Sequence, residues 1–157
     1  MNFKNYEIGQ ISIRDNLEGL KVLHAAHYEE TEHKYKHHTV NVNYEHFMAV
    51  EAKGQLFCFG AHTVDSKQLC AYLFTYLSPS AHDTSMIATA DMFFLSPEHR
   101  GSGVARRLLQ VAQDRLKEKG ADYMIMTDKS PLGAPHLKML FESEGYAQMA
   151  IAYSKAL

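Results

Sequence analysis

Arg100-Gly101-Ser102-Gly103-Val104-Ala105 constrains this chain more than any other stretch. It lies between an apolar run ending Met92-Phe93-Phe94-Leu95 and a helical pattern that starts near Val104. Strand, glycine-rich turn and helix, in that order, present backbone N–H groups at the positive end of a helix dipole, an anion receptor suited to phosphates. Glycine lets a ligand approach the backbone there. Arg106 and Arg107 place positive charge in the first helical turn. No Gly-Lys pair occurs in the chain, which excludes a P-loop, and the third glycine of a dinucleotide-binding turn is replaced by Arg106. Taken alone, two such glycines also fit an ordinary strand-to-helix turn.

A chain of 157 residues with 46% hydrophobic and 22% charged side chains fits one domain spanning 1–157 with a sizeable core. The net charge of −2 gives no global basic field for nucleic acid. No apolar run reaches membrane-spanning length, and Asn2 to Glu7 does not read as a signal peptide. Cys58 and Cys70 fall in apolar, strand-like segments, so free buried thiols and a cytoplasmic location are expected.

The pattern predicts a first strand over Tyr6 to Ile13, then a helix opened by an Asp15–Glu18 capping box and running through Leu17, Leu20, Val22, Leu23 and Ala26. Asn43 caps a second helix with Phe47, Met48 and Val50, ending at Gly54. Leu56 to Val64 and Leu69 to Leu77 form a hairpin around Asp65-Ser66-Lys67, and Ser85 to Leu95 is a long strand. Val104, Leu108, Ala112 and Leu116 repeat every four residues and stop at Gly120. A short strand over Tyr123 to Thr127, a helix with Leu137, Leu140 and Phe141, and a terminal strand over Ala147 to Ser154 complete the order β-α-α-β-β-β-α-β-α-β. The fold class is therefore α/β (α+β), a mixed, mostly antiparallel sheet with helices on both faces.

This order, with the glycine turn after the fourth strand, resembles the GNAT superfamily of N-acetyltransferases. The family signature R/Q-x-x-G-x-G/A is met by Arg100, Gly103 and Ala105. Asp91 to His99 is similar to the family's acidic-strand-Pro-Glu lead-in, and Leu140 to Tyr146 to its helix-then-Gly-aromatic ending. The similarity runs from Leu56 to the end of the sequence. His24-Ala25-Ala26-His27-Tyr28-Glu29-Glu30, with Pro97-Glu98-His99-Arg100-Gly101, looks more like members carried by bacteriophages than like ribosomal or histone enzymes.

The resemblance implies a single GNAT domain that moves an acetyl group from acetyl-coenzyme A to a primary amine by direct attack, with no metal. It places the diphosphate on Gly101, Ser102, Gly103, Val104, Ala105, Arg106 and Arg107, beside Arg100. The thioester would lie along the backbone of Phe93, Phe94 and Leu95, where an N–H can hold a developing oxyanion. A splay between the fourth and fifth strands and a strand bulge come from the family and are not visible in the sequence.

An alkylammonium has a pKa of about 10, so attack needs a base. Asp91 is the candidate, as the carboxylate inside the long strand; enclosure beside Met92 and Phe93 would raise its pKa. It fits equally a strand carboxylate that only bonds backbone. The family's usual acid, a tyrosine that protonates the leaving thiolate, is Phe141 here, against the cofactor; Tyr146 and Tyr153 are candidate substitutes, as is His136. Ala134 replaces the usual Asn. Tyr28, Glu29, Glu30, Glu32 and Tyr35 suit a cationic acceptor, small molecule or protein, and equally a solvated helix face. His24 with His27, and His33 with His37, share helix faces, a geometry open to metal, but no third ligand follows from spacing. A homodimer is common in the family. The alternative is a protein that keeps the fold and cofactor cleft but acts through a partner surface; nucleic-acid binding through Arg100, Arg106 and Arg107 runs against the acidic remainder.

Overall fold

The structure, a computed structural model, describes residues 3–31, 41–127 and 135–149. The chain divides into two compact units, Met1–Thr127 and Asp128–Leu157.

In the first unit, five strands form one sheet in the order β1-β2-β3-β4-β5: β1 Tyr6–Ile11, β2 Leu56–Thr63, β3 Leu69–Pro79, β4 Met86–Leu95 and β5 Tyr123–Ile125. The first four pair antiparallel, and β4 with β5 is parallel. Helices α1 (Leu17–Thr31) and α2 (Tyr44–Ala52) pack on β3 and β2; α3 (Val104–Glu118) packs on β1, β2 and β3. In the second unit α4 spans Pro135–Ser143. The mixed, mostly antiparallel sheet with helices on both faces is the expected architecture.

Side-chain alternation sorts the core into two layers. Leu56, Cys58, Tyr72, Phe74 and Phe94 join Ile13, Leu20 and Leu23 on one face, with Phe47 and Met48 of α2 against them. Phe57, Phe59, Ala71 and Leu73 fall on the other face, under the α3 stripe Val104, Leu108, Leu109, Ala112 and Leu116.

The β3–β4 register slips between Phe74 and Thr75: Phe74 faces Met92 and Thr75 faces Ala90. Asp91 is therefore an extra residue, a bulge. Before it, Ala88 and Ala90 lie on the α3 face. After it, Met92 and Phe94 have the same parity but the opposite face, beneath α1.

Several boundaries depart from expectation. Asn16, not Asp15, flanks α1: its carbonyl accepts the Leu20 N–H at 2.9 Å, while the Asp15 N–H donates to Ser12 Oγ at 3.4 Å. Of the apolar residues in α1, Val22 is 66% exposed and Ala26 is exposed, because the buried stripe runs Leu20, Leu23, His24 and Thr31. Asn43 caps α2 as expected, its side chain accepting the His46 N–H at 3.0 Å. Strand β5 stops at Ile125, two residues short of Thr127. Of the expected terminal strand, Ala147 to Met149 carry no strand pairing, and the rest lies outside the described residues.

His24 is the one imidazole sealed into the α1 face among the described residues. Its Nδ1 bonds the Tyr44 hydroxyl at 2.8 Å, its Nε2 has no partner, and its ring stands edge-on to Tyr72 at 4.6 Å. Burial, then the neighbouring His27, lower its pKa from 6.5 to about 4; burial, then the charge of Glu18, raise Tyr44 to about 12.

Two measurements check this account. Deleting Asp91 removes the bulge and leaves Met92 and Phe94 opposite Phe74 and Tyr72 on their present face, so urea denaturation should show a loss of less than about 2 kcal/mol, well below that of a core truncation. For His24, the unfolded chain binds more protons than the folded one between about pH 6.5 and about 4. Stability should therefore fall by up to about 3 kcal/mol as pH drops through that window and level off below it. His24→Phe should remove that part of the pH dependence of the urea midpoint.

Candidate functional site

Strand β4 has two different edges. Toward β3 it is paired along its length. Toward β5 the parallel ladder covers only Ile87–Tyr123, Ala88–Met124 and Thr89–Ile125, and the Thr127 hydroxyl adds one bond to the Ala90 carbonyl at 3.3 Å. Past Ala90 no described strand pairs with that edge. Among the described residues the ladder to β5 stops just before the bulge.

The phase of the backbone follows from one hydrogen bond. Ser96 N–H donates to the Cys70 carbonyl at 3.0 Å. Antiparallel pairs alternate between bonded and non-bonded, so Phe94 and Met92 bond β3, and the peptide groups of Phe93 and Leu95 face the open edge. Side chains behave differently: Phe94 and Leu95 are buried and Phe93 is half-buried. What Phe93 and Leu95 offer a ligand on that edge is backbone.

The strand then turns into the glycine loop. Ser96 also gives its hydroxyl to the Cys70 carbonyl at 2.9 Å. A 3-10 turn over Pro97–His99 follows, closed by His99 N–H to Ser96 O and Arg100 N–H to Pro97 O. The Tyr6 hydroxyl bonds His99 Nδ1 at 3.0 Å, tying β1 to this turn. Gly101 and Gly103 have φ of +75° and +86°, the left-handed region that disfavours other residues. The Ser102 hydroxyl donates to His99 O at 2.5 Å and accepts from the Val104 N–H at 3.3 Å. The first helical bond is Arg107 N–H to Gly103 O. Among the described residues the amides of Gly101, Ser102, Gly103 and Ala105 donate no hydrogen bond. Four N–H groups at a helix start make the residues present a fit for a diphosphate. Val104 is fully buried, so its contribution is packing; Arg106 is half-buried and Arg107 exposed.

Asp91 is exposed at the bulge, so the enclosure expected from Met92 and Phe93 is absent. Burial and the negative charge of Asp91 together raise the pKa of Tyr76 on β3. Glu30 is not an open acceptor contact: its carboxylate binds Arg100 Nη2 at 2.6 Å. Glu29 is exposed and Tyr28 half-buried. His27 stacks on Phe94 at 4.9 Å and bonds the Tyr72 hydroxyl through Nδ1 at 2.7 Å, so His24 and His27 each engage a tyrosine. Among the described residues no three His, Cys, Asp or Glu side chains gather as a metal site.

Glu32, Tyr35, His33, His37, Ala134 and Tyr153 lie outside the described residues. In the second unit Phe141 is buried and packs on Tyr146 at 5.8 Å, with the Tyr146 N–H on the Phe141 carbonyl. Both cysteines are buried and free; burial raises Cys58 well above the usual thiol range and Cys70 to about 11. Tyr72, Tyr44 and Tyr6, the partners of the histidines, are 20 to 93 positions away from them and leave no local signal.

Comparison with known proteins agrees with this geometry. A ribosomal-protein-alanine N-acetyltransferase from Brucella melitensis biovar Abortus 2308 superposes with a TM-score of 0.74 at 16% identity, covering 97% of this chain and 99% of that one. An aminoglycoside acetyltransferase from an uncultured soil metagenomic sample gives 0.77 at 15%, covering 98% and 97%. Glucosamine-6-phosphate N-acetyltransferase from Arabidopsis thaliana gives 0.74 at 15%, covering 96% and 97%. At these identities the likeness is one of fold. No curated protein sequence matches the chain. The acetyltransferase (GNAT) family matches residues 17–137. That match, over a chain that carries the glycine loop and the fold, makes it a member of the GNAT acetyltransferase family.

Proposed function

We propose that this protein is an N-acetyltransferase that moves an acetyl group from acetyl-coenzyme A to a primary amine by direct attack. The observation that carries the reading is the junction at residues 95–105: amides without partners at the start of α3 continue directly from the edge of β4 that β5 leaves uncovered. A diphosphate held on the first would lay its extended arm along the second.

The donor supplies an activated acyl group and a thiolate leaving group. The chain supplies position and charge. Gly101, Ser102, Gly103 and Ala105 offer N–H donors to the phosphates, and Arg107 offers an exposed cation near them. The Phe93 and Leu95 peptides orient the acyl carbonyl from the open edge. Asp91, exposed at the bulge, takes a proton from the acceptor ammonium, directly or through water, so that the neutral amine can attack the acyl carbon. Phe141 has no proton to give, so protonation of the thiolate falls to solvent or to Tyr146 or Tyr153. The acceptors of the three fold relatives are a protein, an aminoglycoside and an amino sugar phosphate. Any primary amine of these classes is an acceptor candidate here.

Calorimetry should detect coenzyme A binding, and Gly103→Val, which forces a branched side chain into left-handed backbone, should weaken it about tenfold or more. No binding at millimolar ligand would overturn the reading. With a panel of amines, release of free coenzyme A should follow, and Asp91→Asn should lower kcat by about a hundredfold and flatten its rise with pH. An unchanged pH profile would remove Asp91 as the base, and tight binding with no turnover on any amine would favour a non-catalytic role.

A further inference from the structure

We propose that Arg100, the first residue of the signature, is a positioning residue that latches the end of α1 onto the end of β4 through Glu30, and is not a phosphate ligand. What it positions rests on the donor-site reading above.

The guanidinium is committed on three sides. Nε donates to the Leu95 carbonyl at 3.0 Å, Nη2 meets the Glu30 carboxylate at 2.6 Å, and Cζ lies 5.7 Å from the centroid of the Phe94 ring. Both charged side chains are about one-third exposed, so the pair is shielded more than an ordinary surface ion pair. Glu30 neutralises the arginine where a phosphate would need its charge. The planar fork matters because two bonds in fixed directions define where the Leu95 carbonyl points.

The contacts converge on one turn of α1. His27, three residues before Glu30, stacks on the same Phe94 ring, and the Thr31 hydroxyl closes on the His27 carbonyl at 2.9 Å. One turn of α1 thus reaches the end of β4 twice, His27 directly on Phe94 and Glu30 through Arg100. Leu95 is one of the two residues whose peptide faces the open edge. Arg100 on the Leu95 carbonyl and Cys70 on the Ser96 N–H together fix the Leu95–Ser96 peptide plane, and that plane meets, at the Leu95 Cα, the plane whose Leu95 N–H faces the open edge. The latch therefore couples the helix that borders the acceptor side to the strand that holds the donor.

Three readouts test this on the intact protein. Hydrogen exchange without ligand should quicken about tenfold at amides 28–31 in both Arg100→Gln and Glu30→Gln; exchange unchanged in both would overturn the latch whatever the ligand result. By calorimetry, Arg100→Gln, Arg100→Lys and Glu30→Gln should bind coenzyme A within about threefold of the parent. A phosphate ligand gives another pattern and would overturn the proposal: Arg100→Gln weakens binding tenfold or more, Arg100→Lys restores it, and Glu30→Gln tightens it. With an amine the parent acetylates, kcat should fall about tenfold in Arg100→Lys and Glu30→Gln alike, with KM for acetyl-coenzyme A within about twofold; a loss confined to KM would overturn it. If the parent binds no coenzyme A, the donor-site reading fails, and hydrogen exchange still decides the latch.

Discussion

One inserted residue organises this protein. A β-strand presents alternate side chains to opposite faces, so an extra residue in β4 must bulge out of the β3 ladder if Ala88 and Ala90 are to stay under α3 while Met92 and Phe94 stay under α1. Asp91 is that residue. The same slip redirects the backbone: before it, Met86 and Ala90 carbonyls meet β5-side partners, and after it the Phe93 and Leu95 peptides face an edge with no described strand. A change of face in the core and an open groove at the surface are two consequences of one bulge.

Charge is handled locally. With a net charge of −2 the chain has no general attraction for anions. On the reading proposed above, the loop would hold an anion instead by backbone dipoles gathered at the start of α3 and by arginines placed around them. Of these, Arg100 is offset by Glu30 within contact distance, Arg106 is half-buried, and Arg107 is exposed. Recognition built mostly on amides depends on shape, because the N–H vectors are fixed by the fold.

Much of the fold was legible in the sequence, because it rests on short-range rules. The α3 stripe, the Asn43 cap, the turn at Asp65 to Lys67 and the glycine loop are each set by residues a few positions apart. The capping box at Asp15 failed for a reason of the same kind: Ser12 draws the Asp15 N–H, and the helix opens one residue later from Asn16. The bulge was not legible, since a polar residue in a strand looks the same whether or not it is inserted. Nor was the pairing of Glu30 with Arg100, 70 positions apart, which turns an apparent acceptor contact into part of the scaffold. The tyrosine partners of His24 and His27 belong to the same class of long-range fact.

Among the described residues the parallel seam between β4 and β5 holds by three register pairs, two bonds between Met86 and Asp122, and one threonine hydroxyl. The four antiparallel strands beside it are bonded along their lengths and anchored by both helical layers. Compliance is therefore uneven across the sheet: widening the cleft disturbs a short ladder and leaves the core intact. A donor of different acyl bulk could be admitted by fraying that seam, which makes β5, rather than any pocket side chain, the natural place where tolerance for longer chains would be set.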